Sequence, residues 1–241
     1  IIVGEDVITH EQSISRYKKM NDPLKQYEEV DPIDRLAKIF SVSKDNIIVV
    51  PNLVYHIDLQ MAYLGDNLFF INSLEETFKE FPEQRGFHGP SLAKAKDEKA
   101  KKIKFILEKL GFRVILGCGA LYLPSNNKLR KAFNWQKSRV NNYEYKIWHA
   151  SDLESMFING QIFLSDNKVR HFITMDSDNY EHKNYFKSLL NAEGIEVHFI
   201  KADNGMSGGE FVNIAAGGFR CMLSVDPEQC VDTGSISLSS E

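Results

Sequence analysis

Two segments of the chain combine residue types that can carry covalent chemistry. In Tyr55-His56-Ile57-Asp58 an imidazole and a carboxylate stand two apart, so an extended backbone would turn both to one side. A histidine with an acid nearby suits general acid/base work, yet the same pair alone serves as well to cap a turn. The second segment, Gly208 to Met222, sets Cys221 just beyond the double glycine Gly217-Gly218, with Arg220 beside it. Glycines let a backbone and a ligand approach closely. A thiol next to a cation can be held as the thiolate, the form that attacks carbon electrophiles. An isolated cysteine at a strand end is otherwise a small buried hydrophobe.

The elements that must position these residues follow a repeated grammar. Asp31-Pro32 before Ile33, Leu36, Ala37 and Phe40 offers an N-cap, a proline at the first helical position and helical apolar spacing. The β-branched run Ile47-Ile48-Val49-Val50-Pro51 then predicts a strand buried on both faces. Next, Ser91 to Leu110 (Leu92, Ile103, Ile106, Leu107, Leu110) reads as a helix stopped by Gly111 before the strand Phe112 to Leu116. Last, Tyr185, Phe186, Leu189 and Leu190 form a helical stripe ended by Gly194, and Ile195 to Ile200 alternates as a half-buried strand. Further strands are expected at Leu68 to Ile71, Ile162 to Leu164 and Phe172 to Met175. The breaker-rich stretch Phe81 to Pro90 and the polar stretch Lys137 to Glu144 read as surface insertions. One α/β domain over residues 1–241 is expected, built from related modules.

Composition narrows the partners. With 33 acidic and 29 basic residues among 241, the formal charge is −4. Such a mixed surface lacks the concentrated basic field that nucleic acid requires, so no nucleic-acid partner is expected. The one basic run, Lys94 to Lys104, carries Asp97 and Glu98 within it and reads as the solvated face of a helix. No apolar stretch reaches the ~20 residues of a membrane span, so no membrane partner is expected. Three cysteines (Cys118, Cys221, Cys230) form neither a disulfide framework nor a zinc pair, which favours a reducing, cytoplasmic compartment.

Taken together, the two chemistry-bearing segments resemble the guanidine-modifying superfamily of arginine deiminases, agmatine deiminases, dimethylarginine hydrolases and amidinotransferases. His56-Ile57-Asp58 is similar to that superfamily's His-x-Asp element, and Leu59 to Ile71 to the strand pair after it. Gly217-Gly218-Phe219-Arg220-Cys221-Met222 resembles its glycine-rich loop before the nucleophilic cysteine. Between them, Ser155 to Cys221 has the matching order, with strands near Phe157-Ile158-Asn159 and Phe172, then helix, strand and cysteine loop. The resemblance implies an α/β propeller of the pentein type, a pseudo-symmetric fan of repeated ααβ-type modules.

It also implies a set of roles. Cys221 would attack the guanidinium carbon. His56 would protonate the departing nitrogen and then activate water, and Asp58 would accept hydrogen bonds from the guanidinium. Gly217, Gly218 and Arg220 would line the substrate, Arg220 being equally open to a carboxylate anchor or a solvent-facing cation. No metal or organic cofactor is required. The implied activity is a deiminase acting on arginine, agmatine or peptidyl arginine. An amidinotransferase with the same covalent intermediate is the alternative within the fold, and a non-catalytic binding module the alternative outside catalysis. The apolar stretch Ile214-Ala215-Ala216 suits a substrate without an α-carboxylate. A homo-oligomer is left open.

Two further guanidinium-binding carboxylates of that superfamily lie upstream of its His-x-Asp element and find no match here. Ile1 to Ile8 resembles the strand after the second of them. The chain is therefore expected to be the C-terminal part of a longer one, the alternatives being loss of the pair or its replacement by Glu5 and Asp6. His10, His88, His149, His171, His182 and His198 show no paired ligand spacing, and packing is expected to explain His198. Trp135, Tyr143, Tyr145 and Trp148 read as packing residues rather than a substrate rim. Asp176, Asp178 and Asn179 read as turn residues before a helix.

Overall fold

The computed structural model describes residues 1–9, 31–52, 57–87, 90–122 and 153–201. It is a mixed α/β structure with four small sheets, none closed into a barrel among the described residues. Strand β1 (Ile2–Gly4) leads to helix α1 (Pro32–Phe40) and strand β2 (Ile48–Val50), which pairs parallel with β1. Asp31 caps α1, its carboxylate accepting the Ile33 amide at 2.8 Å, with Pro32 at the helix start. Ile48 and Val50 face one apolar cluster, while Ile47 and Val49 face another with Val3 and Ala37, so β2 packs on both sides as expected. Phe40 lies exposed instead of joining that packing.

The next two units share one topology. Strands β3 (Met61–Tyr63) and β4 (Leu68–Asn72) form an antiparallel hairpin. Helix α2 (Leu74–Glu80), a 3₁₀ segment (Pro82–Phe87) and helix α3 (Pro90–Lys109) then lead to β5 (Arg113–Gly117), which pairs parallel with β4. Strands β6 (Ala120–Tyr122) and β7 (Leu153–Met156) pair with each other. After them β8 (Gln161–Leu164) and β9 (Arg170–Met175) form a second antiparallel hairpin. Helix α4 (Tyr180–Asn191) carries the chain to β10 (Ile195–Ile200), parallel to β9. The second strand of each hairpin is central in its sheet. The repeated unit is thus a hairpin, a helical connection and a parallel strand, ββαβ where the resemblance implied ααβ-type modules.

Burial explains why these two units adhere. Leu68 and Phe70 of β4 enter the main core with Phe157, Phe172, Phe186, Leu190, Ile195 and Val197, while Phe69 and Ile71 pack under Ala100, Ile103 and Leu107 of α3. A central strand with both faces covered needs such a continuous apolar run. Phe186 on α4 is the hub, with ring centroids 5.4 Å from Phe70, 5.4 Å from Phe157 and 5.8 Å from Phe172. Each such fully buried ring contributes roughly 1.5–3 kcal/mol by leaving water. Gly111 (φ 87°) and Gly194 (φ 71°) take the left-handed conformation beyond α3 and α4 that a side chain would oppose.

Several expectations are corrected. Leu92 and Leu110 are exposed, because the buried stripe of α3 runs through Ala93, Ala100, Ile103 and Leu107 instead. The strand expected near Phe157-Ile158-Asn159 is β7, which ends at Met156; these three residues follow it as a buried bend, the Phe157 amide donating to Gly119 O at 2.8 Å. Phe81 and Gln84 do not belong to a surface insertion. Phe81 packs edge-on against His182 and Tyr185, and Gln84 bonds both the amide and the carbonyl of Tyr122. Part of the basic run is a solvated face, with Lys94–Glu98, Lys101–Glu75 and Lys104–Glu108 pairs, but Asp97 within it accepts from the Ser73 hydroxyl and the Glu75 amide at the start of α2. Lys137 to Glu144 and the four aromatic residues of the considered rim lie outside the described residues. No helix among the described residues is long and apolar enough to cross a membrane.

Candidate functional site

Of the residues singled out for chemistry, His56, Gly217, Gly218, Arg220 and Cys221 lie outside the described residues. Asp58 falls in the 3₁₀ turn Ile57–Leu59 immediately before β3.

The roots of the His56-Ile57-Asp58 segment are well defined. Pro51 and Asn52 follow the carboxyl end of β2, and the buried Gln60 reaches back across the segment to donate from Nε2 to Pro51 O at 3.4 Å. The Gln60 amide donates to the Ile57 carbonyl, and the Gln60 carbonyl accepts from the Asn72 amide of β4. Lys99 of α3 fixes the next position, Nζ donating to Asn52 O at 2.8 Å. A loop whose two ends are pinned loses less entropy on ordering what lies between.

Oxygen atoms gather beside that root. A Cβ on Gly4 would collide with Asn52 Oδ1 and stand 2.6 Å from Asp6 Oδ1, so only glycine leaves room for both at the carboxyl end of β1. Asn52 Oδ1 is buried with no hydrogen-bond partner among the described residues. A buried acceptor left unpaired costs about 1–3 kcal/mol, which favours a donor arriving there. Asp6 is the second of the helical residues 5–9, its carboxylate accepting from the Val7 amide at 2.8 Å.

The root of the cysteine-bearing segment lies at the carboxyl ends of the other parallel pair. The Asp176 amide donates to Ile200 O at 2.8 Å, closing β9 onto β10 where the chain leaves through Lys201. Asp176 lies in the turn between β9 and α4, as expected, and is buried there, ion-paired with Lys183 and, at 3.8 Å, with Lys201. Asn179 is the N-cap of α4, accepting the His182 amide at 2.9 Å. The carboxyl ends of parallel strands are where open α/β sheets bind ligands.

A different thiol and imidazole do meet. Cys118 Sγ lies 3.4 Å from His182 Nε2, and His182 Nδ1 lies 2.5 Å from Ser155 Oγ, all three residues fully buried. His182 Nε2 is also 3.1 Å from Cys118 O. The arrangement fits one neutral tautomer, in which Nε2–H donates to the Cys118 carbonyl and Nδ1 accepts from the Ser155 hydroxyl. The imidazole lone pair then points away from sulfur. Burial pushes the Cys118 thiol up to about 12 and the His182 imidazole down to about 4, so both stay neutral. This cluster satisfies buried polar atoms; it does not make a thiolate.

No local pattern marks Gln60, Asn52 or the buried Asp176 in advance. Gln60 matters through a partner 9 residues away, Asn52 through one 47 residues away, and Asp176 through the crossover that returns β10 to β9.

No family model and no curated protein matches the chain. Among solved structures it is similar to agmatine deiminase from C. jejuni, at 13% identity and a TM-score of 0.45 over 91% of this chain and 49% of that one. It is also similar to a cysteine-to-serine variant of C. jejuni agmatine deiminase with substrate bound, at 14% identity and a TM-score of 0.40 over 82% and 46%. The chain spans about half the length of these neighbours.

Proposed function

We propose that residues 1–241 form one catalytic domain of a cysteine-dependent guanidino hydrolase. In this reading Cys221 thiolate adds to the guanidinium carbon, and the tetrahedral adduct expels ammonia as His56 supplies a proton. Water, deprotonated by His56, then attacks the amidino-thioether carbon, and the carbon–sulfur bond breaks to return the thiolate and a ureido product. Asp58 holds the guanidinium by charge-assisted hydrogen bonds. Gly217 and Gly218 permit close approach, and Arg220 sits beside the nucleophile.

The observation that carries this reading is the set of acceptors beside the pinned root of His56-Ile57-Asp58. A guanidinium brings five N–H donors and no acceptor, so its site must be rich in oxygen. Asp6 Oδ1 and the unpartnered Asn52 Oδ1 offer that at Gly4. Asp6 would stand in for one of the further guanidinium-binding carboxylates of that superfamily. With an apolar stretch at Ile214-Ala215-Ala216, agmatine or a peptidyl arginine suits the site better than free arginine.

Ammonia release from agmatine, an arginyl peptide and free arginine tests this. A hydrolase releases ammonia from substrate alone, fastest with one of the first two, and loses it on Cys221→Ala. Silence until an acceptor amine is added would make the chain an amidinotransferase. Binding of agmatine without turnover would make it a binding module.

A further inference from the structure

The parallel pairing of β9 with β10 assembles a cluster that no linear spacing reveals. Register sets Glu196 opposite His171, and His198 follows two residues later on the same outward face of the sheet. His171 Nδ1 lies 2.9 Å from His198 Nε2 and 3.4 Å from Glu196 Oε2. One donor atom from each of the three residues falls within 4.8 Å of the others. The expectation that packing explains His198 is therefore corrected: its ring is exposed and turned toward a second imidazole 27 residues away.

We propose that His171, Glu196 and His198 form a site for one borderline divalent cation of the zinc class, clasping β9 to β10 on the outer face of the sheet. Two imidazole nitrogens and a carboxylate oxygen are the donor set that such ions prefer, and three protein donors leave the fourth position to water. At a metal–donor bond of about 2.0–2.1 Å with tetrahedral angles, neighbouring donors stand about 3.3 Å apart. The observed 2.9 and 3.4 Å straddle that value. Small side-chain rotations suffice: Glu196, its side chain 62% exposed, and the exposed His198 are free to make them, while His171, 23% exposed, is held by its surroundings as the fixed member. The clasp lies on the strand that leads through Lys201 toward the cysteine-bearing segment. It is independent of the proposed hydrolysis, in which no metal takes part.

Titration of the metal-stripped full chain with ZnCl2, followed calorimetrically, tests the proposal against the His171→Asn/His198→Asn variant. One equivalent of Zn2+ is expected to bind wild type, raise its melting temperature, and shift the ring resonances of both histidines together. The double variant should lose that equivalent. Glu196→Gln, at an exposed position, should keep the fold and weaken binding by more than about tenfold, the least that loss of even an outer-shell partner commonly costs. Zn2+ bound equally by wild type and the double variant, or no binding at millimolar Zn2+, would overturn the proposal.

Discussion

Cys118 Sγ lies 3.4 Å from His182 Nε2 although 64 residues separate them, and the contact is chemically inert. A thiol at about 12 facing an imidazole at about 4 disfavours proton transfer by many powers of ten. Proximity of a nucleophile and a base is insufficient when neither is solvated or aimed at the other. In the native protein at pH 8, Cys118 is expected to resist iodoacetamide while remaining fully modifiable in denaturant. Mass-spectrometric mapping of the alkylated cysteines checks this, and modification of Cys118 at the rate of a solvent thiol would contradict it.

His182 also sets a pH dependence of stability. Its folded-state value, depressed by burial from 6.5 to about 4, means that the unfolded chain binds the proton more readily. The stabilisation is fully present above about pH 6.5 and is lost as the pH falls toward 4, by up to about 3 kcal/mol. Urea unfolding from pH 8 to pH 4.5 should show a decline that is shallower in His182→Asn. Equal slopes in the two proteins would mean that His182 does not titrate differently on unfolding.

Gly160 tests the packing between the bend and the second hairpin. A Cβ there would stand 2.5 Å from the Phe172 ring and 2.6 Å from Ile173 O, and a backbone oxygen cannot rotate away. Gly160→Ala is expected to cost about 1–3 kcal/mol, the usual range for overpacking. Chemical denaturation measures it, and a neutral result would show that the strand shifts freely.

Much of the fold was legible because it rests on local pattern. The N-cap and proline of α1, the glycines after α3 and α4, and the alternation of β10 all act within a few residues of themselves. Parity and register across strands are not local. Nothing in the sequence brings His171 beside His198, buries Asp176 beneath two lysines, or ends β7 at Met156 so that Phe157 bends onto Gly119. These depend on which strands pair and where a crossover returns. The chemistry-bearing segments were read from residue types and a family resemblance, whereas the contacts that hold their roots come from Gln60, Lys99 and Asp176, distant partners in every case.

Gln60 makes the clearest claim about those roots. Gln60→Leu keeps the volume but strips Pro51 O of its donor, which should cost about 1–3 kcal/mol. Residues 53–56 should then become the first site of limited proteolysis. If cleavage elsewhere still comes first and stability is unchanged, Gln60 does not hold that segment.

The most direct test of the proposed chemistry is covalent labelling by a haloamidine, which mimics a guanidinium but leaves its carbon bonded to sulfur. Peptide mapping should find the adduct on Cys221 in wild type, formed far faster than on a solvent thiol, and slowed by His56→Ala, Asp58→Asn and competing agmatine. Labelling of Cys221 at the rate of a free thiol, indifferent to His56 and to agmatine, would contradict its assignment as the nucleophile.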